Sequence, residues 1–577
     1  MKLSYYINKA QNIDVKNYDN KIKIAITGSF TLNGISETFI VKCAENKIDC
    51  NTFVSNYSQY NQDILNSNSD LHNFSPNVTF LILDTRSILG QLFFNPFTIP
   101  VIERKKFIEN KIAEIKNLID AYVKTKSKLI ITNFLIPTYS SYGIYDEKID
   151  YGLKEMIHDL NQKLSNLVKN YSFVFLYDFN GFVTRFGETN IFVPKQYYFG
   201  DIKISLDYIP KLVDELMGYV KTILGLNKKC IVLDLDNTLW GGIVGEDGFN
   251  GIQLGGSPIG NAFVEFQQHL LALQQRGIIL AINSKNNFED ALQVIKEHPH
   301  MVLRENNFSS MKINWNDKVS NMNEISNEIN IGLDSMVFFD DDLGNQEYVQ
   351  KSLKQVFVPK MPNDPTDYPQ FLQDLNEFNV LKITEEDQKR GEMYSQELER
   401  KDLKNLSYSL ENFLQELEIK MKFLPADQFT IPRISQLTLK TNQFNLTTKR
   451  YQEEDIQKFS DDKNMIVECV KIEDKFGNNG ITGVYVIRKN NSEEWILDTF
   501  LLSCRIMGKD IEKGILAKIL QKAKNEGVKK VKMQYIPTKK NKPVEEFLPN
   551  TGFTNEGDYW VFDLKNEIML PKHLEVI

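Results

Sequence analysis

The chain has 577 residues, 42% of them hydrophobic and 25% charged, which predicts roughly three or four globular domains and excludes both a small disulfide-stapled peptide and a disordered tail protein. With 68 Lys plus Arg against 76 Asp plus Glu, the net charge is −8, the wrong sign for a general nucleic-acid binder. Cys43, Cys50, Cys230, Cys469 and Cys504 form no CxxC pair, and six scattered histidines offer no zinc cluster, so a reducing compartment fits best.

The opening stretch MKLSYYINKAQNID lacks the apolar core of a secretory signal, and no uncharged apolar run approaches the roughly 18 residues of a membrane span. The expectation is a cytoplasmic protein with neither membrane nor nucleic acid as partner. The first segment, 1–226, alternates the strand-like runs KIKIAITGSF, TFLILDTR, SKLIITNF and FVFLYDF with polar stretches of helical spacing such as FIENKIAEIKNLIDAYVK. That alternation predicts a parallel sheet flanked by helices. A second alternating unit, 227–383, contains CIVLDLD, IILAINS and SMVFFDDD as strands and FVEFQQHLLALQQRG as a helix, and leaves through the proline-rich MPNDPTDYP. A charged stretch over 384–424 reads as a helical connector. In 425–577 the runs MIVECVKIED, GITGVYVIRK and WILDTFLLSC read as antiparallel strands followed by a helix over GILAKILQKAKNEG, an α+β domain.

The chemistry concentrates in the second unit. Asp234 and Asp236 stand two apart at the end of an apolar strand, where a period of two aims both carboxyls the same way. Ligands of parallel α/β sheets bind beyond the carboxyl ends of the strands. Two carboxylates held there call for a cation, and hard oxygen ligands suit Mg²⁺. The strand IILAINS ends in Ser284, and Lys285 and Asn286 follow in a turn that can hold phosphate oxygens. Lys318, in NWNDK, offers a cation for phosphate, with Lys312 its rival. The strand SMVFFDDD ends in Asp340, Asp341 and Asp342, further hard ligands.

This order of motifs resembles the haloacid dehalogenase (HAD) superfamily of phosphoryl-transfer enzymes. The resemblance implies Asp234 as nucleophile and Asp236 as general acid, with the Asp236 main-chain oxygen on the metal. It implies Ser284 and Lys318 on phosphate, with Lys285 and Asn286 beside them, and Asp341 with Asp340 completing the Mg²⁺ site. The interval from Thr238 to Gly260 is too short for a large cap, so the site should be open. DLDNTLWGGIVGEDG, SKNN, NWNDK, QLTLKTNQFNLTTKRY, DTFLLSCRIMG and YIPTKKNKPV narrow the resemblance to the FkbH-like family, whose HAD domain is of subfamily IIIC. The resemblance implies Mg²⁺-dependent removal of phosphate from 1,3-bisphosphoglycerate, a small phosphorylated three-carbon substrate. It also implies loading of the glyceryl unit on the phosphopantetheine thiol of an acyl carrier protein, in polyketide-type natural-product biosynthesis.

Two positions depart from the family pattern. Where members that form an enzyme thioester carry a Cys before the serine, this chain has Asn283, and an amide supplies no thiolate. Cys230 reads as packed core; Cys504 is the spare thiol. Asn345 replaces an acidic residue common after the Asp pair. The chain also resembles SGNH-type hydrolases at its start, in GSFT with Ser29 and in Asn133. No histidine lies between His158 and His269, so the base expected near Asp201 is missing and the domain reads as non-catalytic. The end resembles the GNAT acyltransferase fold, and there Arg505 and Gly508 would cradle a pantetheine arm. The lysine-rich run from Lys529 to Lys542 is either a solvated face or a steering patch for an acidic carrier. Three functions therefore stand open: acyl transfer to a carrier, a small-molecule phosphatase with accessory domains, or a carrier-binding scaffold with decayed catalysis.

Overall fold

Branched and aromatic runs flanked by turns become strands, and amphipathic stretches between them become covering helices. The computed structural model describes residues 2–13, 18–125, 127–383, 396, 400, 403–404, 407–538, 541–566 and 569–577, with the Cys504 side chain outside them. They divide into two compact units, 1–224 and 225–577.

The first unit is built on β1 (Asn20–Gly28), β2 (Ile48–Val54), β3 (Val78–Ile82), β4 (Lys128–Thr132) and β5 (Val174–Tyr177). All pairs are parallel, in the order 2-1-3-4-5. Every residue of β3 and β4 is buried, as expected of central strands covered on both faces. Helices Val101–Tyr122 and Leu153–Val168 pack Ile108, Ile115, Met156 and Leu160 against Leu81, Leu129 and Ile131 of the sheet. Strand β2, IDCNTFV, is an edge strand with exposed polar positions, which is why the sequence does not announce it.

The second unit begins with β6 (Cys230–Leu233), β7 (Ile279–Ser284), β8 (Phe308–Ile313) and β9 (Met336–Phe339). These are parallel in the order 8-7-6-9. Helix Pro258–Gln275 starts on a Ser257 cap with Pro258 in its first turn, two signals that fix its N-terminus. It buries Phe263, Phe266 and Leu270 against the sheet. Because β6 lies between β7 and β9, the chain crosses in opposite senses from β6, and the carboxyl ends there form a topological switch point.

The expected connector, 384–424, falls largely outside the described residues, and its end is not helical. After helix Leu410–Glu416, strand β10 runs over Ile419–Pro425. Ile419 and Met421 are buried while Lys420 and Lys422 are exposed, the period-two pattern of a half-buried strand. The third sheet therefore starts inside the expected connector. It continues through β11 (Phe444–Asn445), β12 (Met465–Asp474), β13 (Gly477–Lys489), β14 (Glu494–Leu502), β15 (Lys530–Met533), β16 (Thr554–Glu556), β17 (Tyr559–Asp563) and β18 (Leu574–Val576). The order is 16-17-15-14-13-12-10-18, with β11 on β14. β12, β13 and β14 are antiparallel as expected, whereas β14 and β15 are parallel, with helix Ile511–Asn525 between them in the chain. No described helix is long and apolar enough to cross a membrane.

Candidate active site

The buried strand β6 delivers Asp234 to the switch point, where its backbone N–H donates to the Phe339 carbonyl at 2.9 Å. This bond ties the ends of β6 and β9 together and sets Asp234 beside Asp340. Carboxylate oxygens of Asp234, Asp340 and Asp341 lie within 4.8 Å of one another. Lys318, 1% exposed, is inserted between two of them, with Nζ 2.8 Å from Asp234 Oδ1 and 3.0 Å from Asp340 Oδ2. Burial opposes its charge, but the two carboxylates outweigh that cost and raise its pKa, so the ammonium persists at neutral pH.

Asp236 is held differently. After Asn237 turns the chain at φ +55°, Oδ1 of Asp236 accepts from Trp240 Nε1 at 2.9 Å and from the Val244 N–H at 3.1 Å. Its Oδ2 accepts from Asn286 Nδ2 at 2.9 Å. Burial nevertheless pushes its pKa up. A carboxyl oriented by three donors and displaced toward its protonated form suits an acid, while its neighbour Asp234 is ion-paired to a lysine; such divergent environments split two carboxyls into acid and nucleophile. Gly242 closes the loop at φ +90°, where a Cβ would stand 2.5 Å from Asp247 Oδ2.

Strand β7 supplies Ser284, 1% exposed, and Asn286, 4% exposed, while Lys285 between them faces solvent. The competition between the two lysines is decided by their partners. Lys312 is engaged by Glu324 and Glu328 at 3.2 and 3.1 Å, whereas Lys318 reaches the acids. Lys318 Nζ also donates to the Asn283 carbonyl at 2.7 Å, and Asn283 Nδ2 donates to the Lys318 carbonyl at 2.9 Å. Asn321 Nδ2 donates to Asn283 Oδ1 at 3.1 Å. Asn283 is fully buried, so the residue at the family's thiol position clamps the lysine. Neither this role nor the indole N–H of Trp240 on Asp236 is marked by a sequence motif; the one signal for the first is an amide inside an otherwise apolar strand. Asn345, the second departure, donates from Nδ2 to Asp340 Oδ1 at 3.2 Å and orients that acid.

The acids fit a divalent cation. Besides the Lys318 ammonium, the buried oxygens Asp234 Oδ1 and Asp340 Oδ2 have no donor beside them. Burial, followed by the charge of Asp234, pushes Asp340 up to about 6 and Asp341 up to about 7. Asp340 and Asp341, which resist ionising beside Asp234, would be relieved by Mg²⁺ held by Asp234, Asp340 and Asp341; such an ion would neutralise the cluster and polarise a phosphoryl oxygen. The Asp236 carboxyl, engaged by its three donors, lies outside this cluster.

Cys230 is buried in β6 and burial drives its thiol pKa far up, which makes it core and not a nucleophile. Cys504, Arg505 and Gly508 lie in the turn after β14, outside the acid cluster. Gly508 adopts φ +76°, and Asp510 precedes helix Ile511–Asn525. Where β14 and β15 part, the chain's own segment 444–446 fills the space. Phe444 and Asn445 pair with Leu502 and Leu501, and the Ile536 N–H donates to the Leu446 carbonyl at 2.9 Å. In the lysine run, Lys529 pairs with Glu493 at 2.5 Å and Lys532 with Glu494 at 2.6 Å, which neutralises those two lysines; Lys539 and Lys540 lie outside the described residues.

An acid pair after the first strand of a parallel sheet, a buried serine ending the next, and a lysine and two acids closing the site define a HAD-like phosphatase domain. Residues 23–221 match the FkbH N-terminal domain family. It is 29% identical to the N-terminal part of BF1531 from Bacteroides fragilis, described as containing a phosphatase domain complexed with Mg. That match has a TM-score of 0.61 and covers 66% of this chain and 100% of that one. Spermidine N-acetyltransferase from Vibrio cholerae aligns at 14% identity with a TM-score of 0.21, over 26% of this chain and 95% of the other. No curated protein matches the chain by sequence.

Proposed function

We propose that the chain is a Mg²⁺-dependent HAD-type phosphatase that releases phosphate from 1,3-bisphosphoglycerate and delivers the glyceryl group to the phosphopantetheine thiol of an acyl carrier protein, in polyketide-type biosynthesis. The observation that carries the phosphatase half is the split between Asp234, ion-paired to Lys318, and Asp236, raised and held by Trp240, Val244 and Asn286. The Mg complex of the Bacteroides fragilis neighbour supports the metal. In the phosphatase step the Asp234 carboxylate attacks the phosphorus of the C3 phosphate ester, the bond from that phosphorus to the C3 oxygen breaks, and Asp236 gives that oxygen its proton, leaving the C1 acyl phosphate intact. Water, losing a proton to Asp236, then cleaves the aspartyl phosphate and frees inorganic phosphate. In the transfer step the carrier sulfur bonds to the acyl carbon, the bond from that carbon to the phosphate oxygen breaks, and the thiol proton leaves with phosphate.

With Asn283 buried and hydrogen-bonded at both ends of its amide, the carrier thiol itself attacks, without an enzyme thioester. Because segment 444–446 fills the gap between β14 and β15, we assign the pantetheine arm to the HAD domain. An open bowl there, lined by Asn286, Asn287, Phe288, Asn314 and Trp315 together with the acids Glu289 and Asp290, includes the Asn286 that bonds Asp236. Arg505 and Gly508 then shape the turn before helix Ile511–Asn525. The test is to incubate protein, Mg²⁺, 1,3-bisphosphoglycerate and phosphopantetheinylated carriers and weigh the carriers intact. A gain of one glyceryl unit is expected. No gain with several carriers, with phosphate still released, leaves the second reading, a small-molecule phosphatase, which Asn283 in place of Cys favours.

A further inference from the structure

The order 2-1-3-4-5 of the first unit places a second switch point between β1 and β3, the place where such sheets take ligands. A narrow cleft lies there, with about 30 Å³ of space inside it and about 530 Å³ once the open solvent at its mouth is counted. It is lined by residues that follow β1, β3, β4 and β5 in turn, with Phe30, Phe93, Leu135, Phe179, Val183 and Ile191 as its apolar walls. Its charged groups are Asp84, Arg86, Glu188 and Lys203. Three of them are engaged within the protein. Lys203 Nζ is 2.7 Å from Asp84 Oδ2, and Glu188 Oε2 accepts from the Thr138 N–H at 2.9 Å and from Thr138 Oγ1 at 2.6 Å.

Arg86 is the exception. Among the described residues its guanidinium is held by aromatic rings and by no carboxylate, with Cζ 5.0 Å from the Phe93 ring centre, 4.5 Å from Phe192 and 5.3 Å from Tyr197. Ring faces fix the guanidinium plane but leave its N–H edge to another acceptor. A cation in an apolar cleft is costly without a counter-charge, and the planar fork matches a carboxylate with two parallel hydrogen bonds. Lys203 is answered by Asp84 and, at 3.5 Å, by Asp201, and Glu188 is held by Thr138, so one negative charge, not two, suits the single uncommitted cation.

We propose that this cleft binds a small monoanionic organic acid, with its carboxylate on the Arg86 guanidinium and its apolar body against the aromatic and aliphatic walls. The site binds and does not hydrolyse. Ser29, 4% exposed, accepts on Oγ from the Asp84 N–H at 2.9 Å, and Ile204 stands at the third position after Asp201, where the base of an Asp-x-x-His pair would fall.

Isothermal titration of the full-length protein tests this, with hexanoate, its neutral isostere hexanamide, and hexyl phosphate as probes. Saturable hexanoate binding is expected, at least about tenfold tighter than hexanamide. Arg86→Gln should lose that margin while Arg86→Lys keeps part of it. Both variants should keep the wild-type circular dichroism and Asp234-dependent phosphate release. Absence of saturable hexanoate binding, equal affinity for hexanamide, or unchanged binding by Arg86→Gln overturns the proposal. Tighter binding of hexyl phosphate than of hexanoate overturns the choice of a carboxylate.

Discussion

Replacing Lys318 with Met isolates the electrostatics of the phosphatase site. The lysine is 1% exposed and stands within 3.0 Å of both Asp234 and Asp340, so its loss leaves buried carboxylates without a counter-charge. Breaking a buried pair from one side costs about 3–5 kcal/mol. For a domain of this size that corresponds to about 6–20 °C in melting temperature. The sign of the pH dependence follows from the acids. Asp340 and Asp341 are raised to about 6 and about 7, above unfolded values near 3.9; their contribution to stability is most favourable at low pH and is lost as pH rises through the folded values. Removing the lysine raises them further, so protonation rescues the variant below about pH 5 and the deficit widens toward pH 8. Calorimetric melting of the full-length protein in EDTA at pH 5 and pH 8 measures this, with Lys318→Met/Asp340→Asn as the companion that restores part of the loss. A deficit under about 1 kcal/mol at pH 8, or one equal at both pH values, refutes the reasoning.

Asp234→Asn should lower phosphate release at least about a thousandfold, measured by inorganic phosphate assay, since it removes the proposed nucleophile; turnover within tenfold of wild type would sink both enzyme readings. Asn283→Ala strands the Lys318 carbonyl and the Asn321 amide and should cost about 1–3 kcal/mol in denaturant melts. Asn283→Cys should show no acyl-enzyme in intact mass, because the side chain is fully buried. Mg²⁺ should raise the melting temperature more at pH 8 than at pH 5.5, because Asp340 and Asp341 must lose protons to bind it. An equal shift at both pH values would count against those two acids as ligands.

Much of the site was legible because HAD-type chemistry is punctuated along the chain. Each acid ends a buried apolar run, and the end of a buried strand is where a parallel sheet presents ligands, so DLD, NSKN and FFDDD mark the site before any folding is considered. The strands escaping that reading are β2, β8, β10, β11 and β15 to β18, most of them short or at an edge, with half-polar patterns that resemble loops. The charged connector misled for the opposite reason: Lys420 and Lys422 look like helix surface until Ile419 and Met421 are seen to face a core.

The sequence by itself determined the class of chemistry, because strand ends and carboxylate spacing are local properties. It also determined that no histidine lies between His158 and His269 and that position 283 carries no thiol. Only the tertiary structure decided between Lys312 and Lys318, since that choice depends on which carboxylates approach each ammonium across strands and helices far apart in sequence. The same holds for Asn283 as a clamp, for segment 444–446 between β14 and β15, and for Arg86 held on aromatic rings in an apolar cleft. Partners, burial and counter-charge are contacts at a distance, and no local pattern encodes them.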